Sequence, residues 1–174
     1  MKVLAFAGSS SQKSINKQLA IWTAKQIKSA TLKVLDLNDF EMPIFSVDLE
    51  AKIGPQKKAK QFIEEISLAD YLVVSLAEHN GSYSTAFKNI LDWSSRINSK
   101  LFQNKPMILM ATSPGVRGGA SVMEAAKVRF AIFGADIKGS FSLPEFTKNF
   151  NESVGITNPD LLKRLQDVLA AAIN

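Results

Sequence analysis

The 174-residue sequence contains no cysteine. That absence excludes disulfides, thiolate metal sites and a cysteine nucleophile, and it agrees with a reducing compartment. Histidine occurs once, at His79, with no serine or aspartate at a recognisable triad spacing, and no metal-binding residue is expected. No window approaches the roughly 18 apolar residues of a membrane-spanning helix. The opening MKVLAFAGSS offers one lysine and six apolar residues, too short a hydrophobic region for a typical signal peptide. A soluble, cytoplasmic protein with no membrane partner is the expectation. Three sharp motifs are also missing: the Gly-Lys-Ser/Thr of a Walker loop, the three-glycine dinucleotide fingerprint and the G-x-S-x-G nucleophile elbow.

Acidic side chains are the minority, 16 against 21 Lys and Arg, for a net charge of +5. The densest basic cluster, 57-KKAK-60, shares an amphipathic stretch with Phe62, Ile63 and Ile66 and has no aromatic platform beside it. It reads as a solvated helix face, so no nucleic-acid partner is expected. A mild positive field favours small anions such as phosphorylated cofactors.

What the chain does contain is an ordinary globular balance, 46% hydrophobic and 21% charged, in a length that suits one domain over 1–174. Candidate strands are 2-KVLAFA-7, 32-LKVLDL-37, 71-YLVVSLA-77, 106-PMILMAT-112 and a weaker one in 135-ADIKGSFS-142. They are nearly continuous in apolar residues, as strands covered on both faces are. Stretches of helical period separate them, with stripes such as Ile15, Leu19 and Trp22 or Phe87, Ile90 and Leu91. Five βα units in series imply an α/β fold: a doubly wound five-stranded parallel sheet, order 2-1-3-4-5, with helices on both faces. Trp22, Trp93 and the phenylalanines read as core. The segment 38–55 reads as an irregular loop, long enough to carry function.

Ligands of such sheets bind beyond the carboxyl ends of the strands, where the winding direction reverses. That rule singles out the loops after strands 1, 3 and 4. The first, 8-GSSSQKSIN-16, packs hydroxyls around a helix start, whose N–H groups and dipole favour an anion. Gly8 suits a tight exit from the strand, and Ser14 or Asn16 can cap the helix. Two readings stay open here: a phosphate cradle of Ser9, Ser10, Ser11, Ser14 and the Asn16 amide, or a serine-rich cap that needs no ligand. Lys13 and Lys17 are the nearby cations. The second loop runs through 77-AEHNGSYS-84, where Asn80-Gly81 is a strong turn dipeptide and Gly81 permits close backbone approach. The third, 112-TSPGVRGGASV-122, is a glycine-rich turn able to present N–H groups. Lys88 and Asp92 read as a surface pair.

These three pieces, in this order, resemble the NADPH-dependent FMN reductase family of flavodoxin-like proteins, from Lys2 to about Phe146. The family patterns G-S-x-R-x-x-S-x-N, P-E-Y-N-x-S-x-P-x-x-x-K-N-x-x-D-W and S-P-G-x-x-G-G correspond to 8-GSSSQKSIN-16, 77-AEHNGSYSTAFKNILDW-93 and 113-SPGVRGG-119, and 36-DLNDFEMPIF-45 is similar to the stretch after strand 2. The resemblance implies that Ser9, Ser14 and Asn16 hold the FMN phosphate, and Ser11 and Ile15 beside them are candidate cofactor-binding residues. It implies a flavin ring flanked by Glu78, His79, Asn80, Gly81 and Ser82, with Ser113, Gly115, Gly118 and Gly119 nearby. It implies FMN as cofactor, NADPH or NADH as donor, and hydride passing through FMN to a quinone-like or other small acceptor with no catalytic side chain. A flavodoxin-type FMN electron carrier, without direct NAD(P)H oxidation, is the alternative. A homodimer or homotetramer is implied too. The departures are Ser11 for the family arginine, His79 for its tyrosine, and Ala77 and Ser84 for its prolines. Losing the arginine removes a charge-assisted bidentate contact.

Overall fold

The computed structural model describes residues 1–173. The chain runs β1 (Lys2–Gly8), α1 (Ile15–Lys25), β2 (Thr31–Val34), a 3-10 turn (Leu37–Phe40), α2 (Val47–Ile53), α3 (Lys57–Ser67) and β3 (Tyr71–Leu76). A hairpin of β4 (Glu78–His79) and β5 (Ser82–Tyr83) leads into α4 (Thr85–Ile97), β6 (Pro106–Thr112), α5 (Ala120–Ile132) and β7 (Asp136–Leu143). The chain ends with α6 (Phe146–Asn149), β8 (Phe150–Asn151), β9 (Gly155–Ile156) and α7 (Pro159–Ala172).

The five long strands form one parallel sheet in the order β2-β1-β3-β6-β7. In chain order this is the expected 2-1-3-4-5. Successive side chains alternate between two cores, as the pleat requires. Leu4, Phe6, Leu72, Val74, Met107 and Leu109 face α3, α4 and α5 through Phe62, Phe87 and Phe130. Val3, Ala5, Val73, Ile108 and Met110 face α1 and α7 through Leu19, Ala20, Leu161 and Leu165. Two-sided cover is why the central strands read as unbroken apolar runs.

Three elements differ from the sequence reading. The second strand ends at Val34, because Leu35 and Leu37 turn inward to the core beside α3 while Thr31–Val34 lies at the sheet edge. The segment expected to be irregular holds a 3-10 turn and the helix α2. The two short hairpins were not foreseen: each pairs only two residues a side, too few to leave an alternating pattern.

Trp93 is fully buried, and its indole N–H donates to the Pro43 carbonyl at 2.7 Å. Asn89 grips the same segment, accepting from the Phe45 amide at 2.8 Å and donating to the carbonyls of Met42 and Pro43. The long connection after β2 is thereby fastened to α4. Trp22 is half-buried, edge-on to Phe150. No helix among the described residues is long and apolar enough to cross a membrane.

Candidate functional site

Because β1, β3 and β6 are adjacent and parallel, their carboxyl ends deliver three loops to one place. An open cavity of about 190 Å³ lies there. Ser9, Ser11, Ser14, Ile15 and Asn16 contribute from the first loop, Glu78 and His79 from the second, and Ser113 from the third. Lys13, Ala77, Thr112 and Pro114 complete the wall.

The first loop is shaped by its own hydroxyls. Ser9 Oγ accepts from the Ser11 amide at 3.2 Å, and the Ser14 amide donates to the Ser11 carbonyl at 3.1 Å. Ser14 is the N-cap of α1, its hydroxyl accepting from the Lys17 amide at 3.2 Å. The next two amides, Ile15 and Asn16, find no acceptor among the described residues. They are the free N–H groups that any helix start presents. Ser10 points elsewhere, into a second cavity of about 200 Å³ bounded by the 37–42 segment and α4.

Gly8 serves packing rather than a turn. Its φ is not positive, and a Cβ there would stand 2.9 Å from Leu76 Cδ2 and 3.0 Å from Phe87 Cδ1. Its carbonyl accepts from the Ser84 hydroxyl at 2.9 Å, while Ser84 also caps α4 by accepting from the Phe87 amide at 3.2 Å. The residue standing at a family proline thus ties the second loop to the first.

Asn16 behaves differently from the expectation that its amide faces a ligand. The side chain is buried, and both its nitrogen and its oxygen are hydrogen-bonded. Its Nδ2 donates to the Thr112 carbonyl at 3.1 Å, and its Oδ1 accepts from the Thr112 amide at 3.0 Å and the Ser75 hydroxyl at 2.7 Å. Thr112 continues the chain, its hydroxyl donating to the Leu143 carbonyl at 2.7 Å. Asn16 therefore reaches the cavity through its backbone.

In the second loop, Asn80 and Gly81 both take positive φ, 52° and 77°, the two-residue turn that matches strand twist in the β4–β5 hairpin. His79, Asn80, Gly81 and Ser82 are exposed along this hairpin. Glu78 reaches across to α5, accepting from the Val122 amide at 2.9 Å. Helix α5 has only Gly119 at its N-cap and no side-chain cap of its own, so a carboxylate from another loop complements its N-terminus.

The third loop divides. Ser113 and Gly115 are held to the segment after β7, their carbonyls accepting from Phe146 and Glu145 amides at 3.1 and 3.0 Å. Gly118 and Gly119 turn inward and are buried, away from the cavity wall. With φ of 57°, Gly118 lies so close to β7 that a Cβ would meet Ser142 Oγ, and would come within 2.9 Å of the backbone of Leu143 and Pro144.

The two candidate cations also separate. Lys17 is paired with Asp36 beyond β2 at 2.5 Å, and that bond holds the Asp36 carboxyl below the usual carboxylate range. Lys13 is exposed on the cavity wall, with no ion pair among the described residues. Sequence reasoning offered Ser84 or Thr85 as the cap of α4, and Ser84 is that cap; it missed Ser75, Thr112 and the Ser84 bond to Gly8 as parts of the frame. One signal was available: Ser75 is the one serine inside the apolar run 71-YLVVSL-76, and a fully buried hydroxyl needs a partner.

The doubly wound flavodoxin-like sheet gathers its polar loops around a helix start with free amides, at the edge where folds of this class place their ligands. The chain belongs to the NADPH-dependent FMN reductase family, whose model matches residues 1–148. A quinone reductase of Escherichia coli (strain K12) is 30% identical over 121 residues, 69% of this chain and 64% of that protein. The NADH-dependent flavin reductase subunit 2 of Lactobacillus johnsonii is 27% identical over 128 residues, 71% of this chain and 66% of its own length. The chain thus spans just under two thirds of these relatives. Its fold matches FerB, a flavoenzyme NAD(P)H:(acceptor) oxidoreductase from Paracoccus denitrificans, with a TM-score of 0.76 at 24% identity, covering 99% of this chain and 94% of that one.

Proposed function

We propose that this protein is an NAD(P)H-dependent FMN oxidoreductase acting on a quinone-like or other small acceptor. The observation that carries the reading is the pair of unpartnered amides at Ile15 and Asn16, ringed by the hydroxyls of Ser9, Ser11 and Ser14. That donor set fits a phosphate: neutral N–H and O–H groups lining one cavity, with the α1 dipole behind them and Lys13 also on its wall. Serine in place of the family arginine lowers the charge of the cradle.

When bound, FMN supplies the hydride chemistry. The chain's own part is to bind, orient and polarise. Ser9, Ser11, Ser14 and the Ile15 and Asn16 amides hold the phosphate in this reading. The hairpin residues Glu78, His79, Asn80, Gly81 and Ser82 form one flank for the ring, and Ser113 with Gly115 the other. Backbone N–H groups at that edge stabilise negative charge where it develops. Gly118 and Gly119 contribute by shaping the loop. No side chain need move a proton, which agrees with an exposed His79 that lacks a hydrogen-bond partner in the cavity wall. The reading carries one functional domain over 1–174, a cytoplasmic setting, and a homodimer or homotetramer as the working unit.

Purified protein mixed with FMN, then desalted, should stay yellow and should oxidise NADPH or NADH when a quinone is supplied. Direct oxidation separates a reductase from a flavodoxin-type carrier, which needs a partner enzyme. Protein that leaves the column colourless and inactive after FMN loading refutes the proposal.

A further inference from the structure

We infer that Asn16 is a positioning residue that couples the two ends of the nucleotide site without touching the ligand through its side chain. The inference rests on the FMN reading above. Asn16 is the second residue of α1, so its backbone amide is one of the two free donors at the helix start. Its side chain satisfies both backbone groups of Thr112, the last residue of β6. Ser113, the next residue, lines the cavity. One residue therefore joins the phosphate end of the cavity to the loop proposed to flank the ring.

The connection is stiff. Asn16 is 2% exposed, Thr112 1% and Ser75 0%, and each bond among them is a buried polar contact whose loss strands a donor or acceptor. A force that seats the Ile15 and Asn16 amides on an anion also sets the position of Thr112, and the effect is reciprocal. Occupancy of the phosphate position should therefore favour ring binding even when phosphate and ring belong to separate molecules. Riboflavin with inorganic phosphate reproduces that separation.

The test titrates wild type and Asn16→Ala with FMN, and with riboflavin in the absence and presence of inorganic phosphate, following flavin fluorescence. In wild type, phosphate should tighten riboflavin binding. In Asn16→Ala, FMN binding should weaken by about tenfold more than riboflavin binding does, and the phosphate effect should vanish. A merely structural role would weaken FMN and riboflavin in equal proportion, and that result overturns the inference.

A second readout needs no ligand. Amide exchange in the ligand-free protein should show Thr112 N–H losing protection by about tenfold in Asn16→Ala while its neighbour Ala111 is unchanged. Unchanged protection at Thr112 overturns the coupling by itself. Where Asn16→Ala fails to fold, Ser75→Ala removes one of the bonds to Oδ1 and carries the same comparison at about threefold amplitude. Should wild type bind neither flavin, the functional reading fails, and the exchange measurement alone decides the role of Asn16.

Discussion

Replacing Lys13 by glutamine should weaken FMN about fivefold, and replacing Lys17 should not. Lys13 is an exposed cation on the cavity wall without an ion-pair partner among the described residues. A unit charge about 4 Å from another in water is worth about 1 kcal/mol, and a phosphate carrying nearly two charges about doubles that. Ordering a long exposed side chain and screening by salt take back about half, leaving about 1 kcal/mol, or roughly fivefold in Kd. Lys17 is as near in sequence, but its ammonium is committed to Asp36 at 2.5 Å. The assay is a fluorescence titration with FMN, repeated with riboflavin and at two salt concentrations. Lys13→Gln should raise the Kd for FMN only, and the difference from wild type should shrink at high salt. Equal losses for FMN and riboflavin, or a Lys17→Gln variant as weak as Lys13→Gln, would refute the assignment of Lys13 to the phosphate.

Three further outcomes follow from the frame. Gly118→Ala places a Cβ 2.9 Å from two backbone atoms of the β7 end, at a φ of 57°, and should destabilise by about 2–3 kcal/mol, roughly 5–10 °C in Tm by calorimetry. Asn89→Ala removes three bonds to the Met42–Phe45 segment; limited proteolysis should then cut within 41–46 several times faster while α4 itself remains helical by circular dichroism. Both tyrosines of the chain resist ionisation: burial pushes Tyr71 from 10.0 up to about 12 and raises Tyr83 as well. Folded protein should therefore show less phenolate absorbance at pH 10 than unfolded protein, with a step appearing on unfolding. The sign for stability is negative above that point, since a raised phenol favours folding below pH 10 and loses its contribution as pH climbs toward 12.

The central sheet was legible because burial on two faces writes itself as unbroken apolar runs in β1, β3 and β6. Helix α2 was not, because it buries no residue and so leaves no periodic stripe. It stands on a Ser46 cap and a bond from Arg96 to Glu50 instead. In the site, topology fixed which loops meet, and the sheet rule alone identified them. The direction of each polar side chain was not legible. Asn16, Glu78 and Gly118 each look ligand-facing in sequence, yet Asn16 serves Thr112, Glu78 serves α5 and Gly118 makes room for β7. A polar residue that answers another strand carries the same letter as one that answers a ligand.

That division explains which departures from the family pattern should matter. Ser84 stands where the family has proline, and it restores rigidity by two hydrogen bonds, one capping α4 and one fastening Gly8. Ser11 stands where the family has arginine, and its hydroxyl makes no bond among the described residues, so nothing in the frame replaces the lost charge. Ser84→Pro should accordingly leave FMN affinity no better than wild type, because it discards both bonds to regain a fixed backbone angle. Ser11→Arg should tighten FMN by about tenfold through charge-assisted bonds to the phosphate, with riboflavin unaffected. An arginine that tightened both flavins alike would act through the ring, and the phosphate would then lie somewhere other than the start of α1.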